Sequence, residues 1–160
     1  MNDLHNNRTI LMVDDDPDDF FLAREALEMN GLPGDFQLLP DGEELMDYLC
    51  RRGKFTALAN TPFPCLILLD LNMPRKDGRE ALTEIKQDPD LRRIPIVVFT
   101  TSAETEDISL SYELGASSYI TKPPTFDALV EVMKSLGDYW LKIVMLPGQP
   151  PEDTSRQTTL

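Results

Sequence analysis

Five short apolar runs punctuate the chain: Arg8 to Val13, Phe36 to Leu39, Cys65 to Leu69, Ile96 to Thr100 and, more weakly, Ser118 to Thr121. They lack the alternation of a half-exposed strand, which suits strands buried on both faces, as in a parallel sheet. The segments between them carry apolar residues at helical spacing. Asp16-Pro17-Asp18-Asp19 reads as a helix start, with a capping Asp, Pro in the first turn and acids at the positive end of the helix dipole. Phe20, Ala23 and Leu27 then share a face, and Gly31 or Gly34 ends the segment. Asp41 can cap a second helix whose Leu45, Tyr48 and Leu49 point inward. A third follows Asp77-Gly78, carries Ala81, Leu82 and Ile85, and stops before Pro89. A fourth spans about Glu104 to Leu114 and closes at Gly115, a natural left-handed cap. The fifth begins near Thr125, carries Phe126, Leu129, Met133, Leu136, Trp140 and Val144, and is predicted to run about twenty residues.

Five strands alternating with five helices predict an α/β domain around a parallel sheet, doubly wound because right-handed crossovers place helices on both faces. The domain covers residues 8–146; residues 1–7 read as an N-terminal extension and residues 147–160, with three prolines, as a flexible tail. The connection Arg52 to Pro64 exceeds the usual ~4–6 residues, so it is a partner-facing loop or tolerated excess.

Composition narrows the function classes. The 160 residues are 41% hydrophobic and 27% charged, an ordinary globular balance for one domain. Lys plus Arg number 15 against 28 Asp plus Glu, and the net charge of -13 repels phosphate backbones, so nucleic-acid binding is not expected. No apolar stretch approaches the ~18 residues of a membrane span. Met1 to Arg8 is polar and lacks a signal region, so a cytoplasmic location is expected. Cys50 and Cys65 form no CxxC pair and read as plain buried thiols. His5 is the only histidine and lies in a terminus expected to fray, which excludes histidine-based catalysis and His-rich zinc sites.

In an open parallel sheet, sites form at the carboxyl ends of strands. The first predicted strand ends in Asp14, Asp15 and Asp16, the third in Asp70, the fourth in Thr100 and Thr101, and the fifth in Lys122 followed by two prolines. Asp16 reads as a cap only. Crowded carboxylates repel one another, and a hard cation relieves that cost; Mg²⁺ prefers one or two carboxylates, waters and a phosphate oxygen. Asp70 stands alone at the end of a central strand and suits a nucleophile toward phosphorus, while Asp14 and Asp15 suit the metal. Thr100 can offer its hydroxyl, and Lys122 its charge, to phosphoryl oxygens.

Four motifs now carry a family resemblance: V-D-D at Val13 to Asp15, L-L-D-L-N-M-P-R-K-D-G at Leu68 to Gly78, V-F-T-T at Val98 to Thr101 and Y-I-T-K-P at Tyr119 to Pro123. Over about residues 8–140 the chain resembles response-regulator receiver domains of two-component signalling. The resemblance implies a flavodoxin-like sheet of order 2-1-3-4-5. It implies Asp70 as phosphoacceptor, Asp14 and Asp15 as metal pair, and the backbone carbonyl of Asn72 as a further ligand beside Asp70. It implies Mg²⁺ as cofactor, with Mn²⁺ an alternative, Thr100 and Tyr119 as a switch pair, Lys122 as phosphate contact, and a cis Lys122–Pro123 peptide. A new dianion would then draw the Thr100 hydroxyl inward and free space for the Tyr119 ring. Pro124 departs from the family pattern, in which a large apolar residue is frequent at that position.

The stretch Tyr139 to Pro147 and the long loop before the third strand resemble, more narrowly, the stand-alone regulators paired with bacterial phytochrome kinases, known mainly from cyanobacteria. The reading that follows is a phosphoacceptor switch, not an enzyme acting on other substrates. It takes its phosphoryl group from a sensor histidine kinase, by this finer resemblance a phytochrome, and signals to a downstream protein by contact. Two alternatives are an unphosphorylated pseudo-receiver binding module and a metal-dependent aspartyl-phosphate phosphatase. Exposed Tyr139, Trp140, Ile143, Val144, Met145 and Leu146 beyond the core are expected to build a homodimer interface; the other outcome is that the segment folds back onto the core.

Overall fold

Side-chain caps close four of the helices in the computed structural model, which describes residues 8–31 and 34–147, and Asp16 and Asp41 are the two expected from the sequence. Asp16, Asp41, Asp77 and Thr125 each accept a backbone N–H of a first helical turn, through Oδ1 for the three acids and Oγ1 for Thr125. The elements run β1 (Thr9–Val13), α1 (Pro17–Met29), β2 (Asp35–Leu39), α2 (Gly42–Leu49), β3 (Leu66–Leu69), α3 (Gly78–Gln87), β4 (Ile96–Thr100), α4 (Thr105–Glu113), β5 (Ser118–Thr121) and α5 (Phe126–Gly137). The strands pair in parallel in the order β2-β1-β3-β4-β5, as expected.

Side chains alternate across the sheet and fill two cores. One holds Leu11, Ile67, Leu69 and Val98 against Leu45 and Leu49 of α2 and Leu82 and Ile85 of α3. The other holds Met12, Leu68, Val97 and Phe99 against Ala23 and Leu27 of α1 and Leu129 and Met133 of α5. β3 and β4 are wholly buried, whereas β2 and β5 are only partly so, because each edge strand has a neighbour on one side alone. Among the helices α4 is the thinly packed one: its single buried residue is Ser111.

Three expectations change. The fifth helix is α-helical only to Gly137 and then widens into a π-helical turn, Asp138–Ile143. The wider turn rotates the register, so Leu141 and then Leu146 fold back into the core while Tyr139, Ile143 and Met145 stay exposed. Arg8 secures this turn by donating to the Leu141 carbonyl. Leu146 therefore does not project outward as expected. Cys50, expected buried, is exposed because it caps α2 where the helix leaves the core; Cys65 is half-buried. The long connection contains a 3-10 turn, Gly53–Leu58, and Arg51 holds the loop by donating to the carbonyls of Tyr48, Thr61 and Pro62. The expected extension 1–7 lies outside the described residues, as does the expected tail beyond Pro147.

A carboxylate cluster at the carboxyl edge of the sheet

Parallel pairing brings the expected residues together. Val13 is in register with Leu69, so Asp14 and Asp70, each one residue further on, leave the sheet side by side. Thr100 pairs with Thr121, and the Lys122 N–H continues that ladder by donating to the Thr100 carbonyl at 2.7 Å. Asp14, Asp70 and Thr100 are buried at 1%, 7% and 0% exposure, while Asp15 is exposed.

The polar contacts converge on Asp70 and Lys122. The Thr100 hydroxyl donates to Asp70 Oδ1 at 2.7 Å, and the Asn72 N–H approaches the same oxygen at 3.4 Å. The Lys122 ammonium lies 2.6 Å from Asp14 Oδ2, 2.8 Å from Asp19 Oδ2 and 3.3 Å from Asp70 Oδ2. Asp14 Oδ1 accepts the Asp16 N–H at 2.9 Å. Burial pushes the Asp14 carboxyl up to about 6, against the pull of Lys122. Burial also opposes the Lys122 charge, but hydrogen bonds to Asp14 and Asp19 outweigh it and hold the ammonium above its ordinary value.

Asp14, Asp15 and Asp70 each present an oxygen within 4.8 Å of the others. Hard oxygen donors grouped in this way, one of them open to solvent, fit a divalent cation. Lys122 now neutralises part of this charge, and three carboxylates occupy its three N–H donors.

Two details depart from the resemblance. Among the described residues no peptide bond is cis, so Lys122–Pro123 is trans. The trans form is the lower-energy one for an X–Pro bond by about 0.5–1 kcal/mol, and Lys122 reaches all three carboxylates with it. The Thr100 hydroxyl is already turned inward, because a buried hydroxyl needs an acceptor and Asp70 supplies it. Tyr119 packs half-buried against the first core and donates its hydroxyl to the Ser102 carbonyl at 2.8 Å.

Two residues were not singled out from sequence. Asp19 read as a first-turn acid of α1 but is an acceptor for Lys122; its position one turn after Asp15 was the available signal. Gly78 donates its N–H to Leu71, and a Cβ there would fall 2.2 Å from the Asp70 carbonyl oxygen. The Gly in D-G after the third strand is therefore a close-packing requirement as well as a helix start. The expected interface residues lie elsewhere. Tyr139 and Trp140 pack edge to face, their ring centroids 5.2 Å apart, and line a groove of about 640 Å³ between β5 and α5 with Ile120, Val132 and Leu136.

With the geometry in view, comparison with known proteins gives one answer. The family model for the response regulator receiver domain matches residues 10–134. The chain is 43% identical over 141 residues to response regulator Rcp1 of Synechocystis sp., covering 88% of this chain and 94% of that one. It superposes on the phosphorylated cyanobacterial phytochrome response regulator RcpA with a TM-score of 0.81 at 43% identity, covering 89% of this chain and 99% of that one. The Mn²⁺-bound form of Rcp1 gives 0.80 at 42% identity, covering 88% and 99%.

Proposed function

The chain belongs to the response regulator receiver family, and from that premise we propose that Asp70 accepts a phosphoryl group from a sensor histidine kinase. An Asp70 carboxylate oxygen attacks the phosphorus of a phosphohistidine. The new P–O bond forms as the P–N bond breaks, and the bonding pair leaves with the imidazole nitrogen, giving an aspartyl phosphate. The observation that carries this reading is the setting of Asp70, held by Thr100 and faced by Lys122 beside two further carboxylates.

Asp14, Asp15, Asp70 and the Asn72 carbonyl would hold Mg²⁺ or Mn²⁺, which supplies positive charge to phosphoryl oxygens when bound. A Mn²⁺-bound structure of the relative Rcp1 supports the ion class. Lys122 can contact a phosphoryl oxygen by giving up one of its three carboxylate partners, and Thr100 by turning from Asp70 Oδ1 to the new group. Thr100 and Tyr119 then act as the switch pair. The acid that a haloacid-dehalogenase-type phosphatase carries two residues after its nucleophile is here Asn72, so a switch is favoured over small-molecule turnover.

RcpA, a cyanobacterial phytochrome response regulator, supports a phytochrome as the kinase. Such a regulator would act in the cytoplasm through protein contact; among the described residues no helix is long and apolar enough to cross a membrane. The same reading includes a homodimer, with Tyr139 and Trp140 of the β5–α5 groove joined by Ile143 and Val144 of the segment that follows. Incubation with radiolabelled phosphohistidine kinase and Mg²⁺ tests the main claim: the wild type should carry an acid-labile, hydroxylamine-sensitive label and Asp70→Asn should carry none. Full labelling of Asp70→Asn at another residue overturns the assignment. Sedimentation of the wild type and Trp140→Ala tests the dimer, which fails if both are monomeric with and without beryllofluoride.

A further inference from the structure

Helix α4 buries almost nothing, yet its first turn is held by a polar cluster that the phosphoryl chemistry does not use. Asp107 occupies the third position of α4, where an acid commonly turns back to the capping residue's N–H. Here the capping residue, Glu104, has no side-chain cap, and both Asp107 oxygens point elsewhere. Oδ1 accepts from Arg79 Nη2 at 2.7 Å and Oδ2 from the Ser102 hydroxyl at 2.6 Å. Ser102 Oγ in turn accepts the Glu104 N–H at 3.3 Å. The Ser102 carbonyl is the acceptor for the Tyr119 hydroxyl. Hydrogen bonds from Ser102 and then Arg79 hold the Asp107 carboxyl below its ordinary value, in keeping with an engaged ion.

The other end of the cluster reaches the phosphoacceptor. Arg79 follows Gly78, whose backbone is packed directly on Asp70 and Leu71 with no room for a Cβ. The start of α3 therefore moves with the Asp70 backbone, and Arg79 carries that position across to α4. A second route runs from Asp70 Oδ1 through the Thr100 hydroxyl and two residues along the chain to Ser102. Both routes meet at Ser102, the residue that holds Tyr119.

We propose that Arg79, Asp107 and Ser102 form a latch that positions Tyr119 and ties α4 to the phosphoacceptor loop. These are positioning residues: none touches Asp70, and their effect passes through the Ser102 carbonyl. The latch favours the arrangement with Thr100 turned inward and Tyr119 packed against the core. Without it that arrangement is less populated, and a phosphoryl mimic that selects it binds more weakly in proportion. The inference rests on the reading of Asp70 and Tyr119 given above.

The test uses the full chain with labelled tyrosine, the Tyr119 ring signal being assigned by Tyr119→Phe among the four tyrosines. In the unmodified protein, Asp107→Ala and Ser102→Ala should both move that signal; Ser102→Ala keeps the carbonyl and removes only the anchor. Both should weaken beryllofluoride binding about threefold to tenfold, and Asp107→Ala should do little further harm in a Tyr119→Phe background. Urea midpoints close to wild type show that the variants fold. A Tyr119 signal unmoved in folded Asp107→Ala, or additive effects of Asp107→Ala and Tyr119→Phe, overturns the latch. Should wild type itself fail to bind beryllofluoride, the phosphoacceptor reading falls, while the Tyr119 signal still decides the latch.

Discussion

Replacing Lys122 by methionine asks whether its ammonium is what lets several carboxylates share one edge of the sheet. Methionine keeps most of the aliphatic stem and removes the charge. Asp14 is almost wholly buried, and its carboxyl already lies at about 6, against an ordinary 3.8, despite the pull of Lys122. Without that pull it moves higher. The loss of stability has a ceiling, because a site too costly to leave ionised takes up a proton. At about pH 7 that costs a carboxyl of ordinary pKa about 4 kcal/mol, and Asp14, already at about 6, bears all but about 1 kcal/mol of it in wild type. Asp19 and Asp70 lose a charge-assisted hydrogen bond as well, while water reaching Asp15 and Asp19 screens the site, so we expect a total loss of about 2 kcal/mol, below the ~3–5 kcal/mol of a fully buried broken pair.

The pH dependence follows from the direction of the shift. A carboxyl whose folded pKa lies above its unfolded value favours the folded state when protonated, and that advantage is lost as pH rises through the folded value. The variant should therefore approach wild type at about pH 5 and fall behind it progressively above about pH 6. Millimolar Mg²⁺ brings positive charge to the same oxygens, so it should recover most of the deficit. It should also stabilise the variant more than wild type, in which it competes with the ammonium. Urea midpoints in EDTA at acidic and mildly alkaline pH, then with Mg²⁺, measure each part. A deficit equal at both pH values, or one that Mg²⁺ leaves untouched, refutes Lys122 as the counter-charge.

Three further outcomes follow from the packing. Gly78→Ala should lose about 1–3 kcal/mol, since its Cβ meets the backbone of Asp70 and Leu71; a urea midpoint unchanged from wild type contradicts this. Thr100→Val, nearly isosteric, should cost about 1.5 kcal/mol in metal-free buffer by removing a donor from a buried carboxylate, and an unchanged midpoint would count against the bond to Asp70. Cys50 is exposed, while burial pushes the Cys65 thiol up to about 11. Ellman's reagent should therefore find one fast thiol per native chain and a second only in urea; two fast thiols would contradict the burial of Cys65.

Much of this protein is written in local pattern. Apolar runs of strand length, acids before helical spacing and Gly115 after it locate the strands to within a residue and each α-helix start to within one or two, because capping and burial are short-range demands. The strand ends also identify Asp14, Asp15, Asp70, Thr100 and Lys122, since a parallel sheet delivers its carboxyl termini to one edge. Pairings between distant side chains had no such signal. Asp19 looks like any first-turn acid until α1 turns it toward Lys122, 103 residues away in sequence. Arg79 and Asp107 look like solvated charges until α3 and α4 lie side by side. The same holds for the π-helical turn after Gly137, which buries Leu141 and Leu146 and leaves Tyr139 and Ile143 outside. Helical spacing predicts a face only while the turn stays regular, and there it is the tertiary fit against Arg8 and the core that decides which face the chain presents.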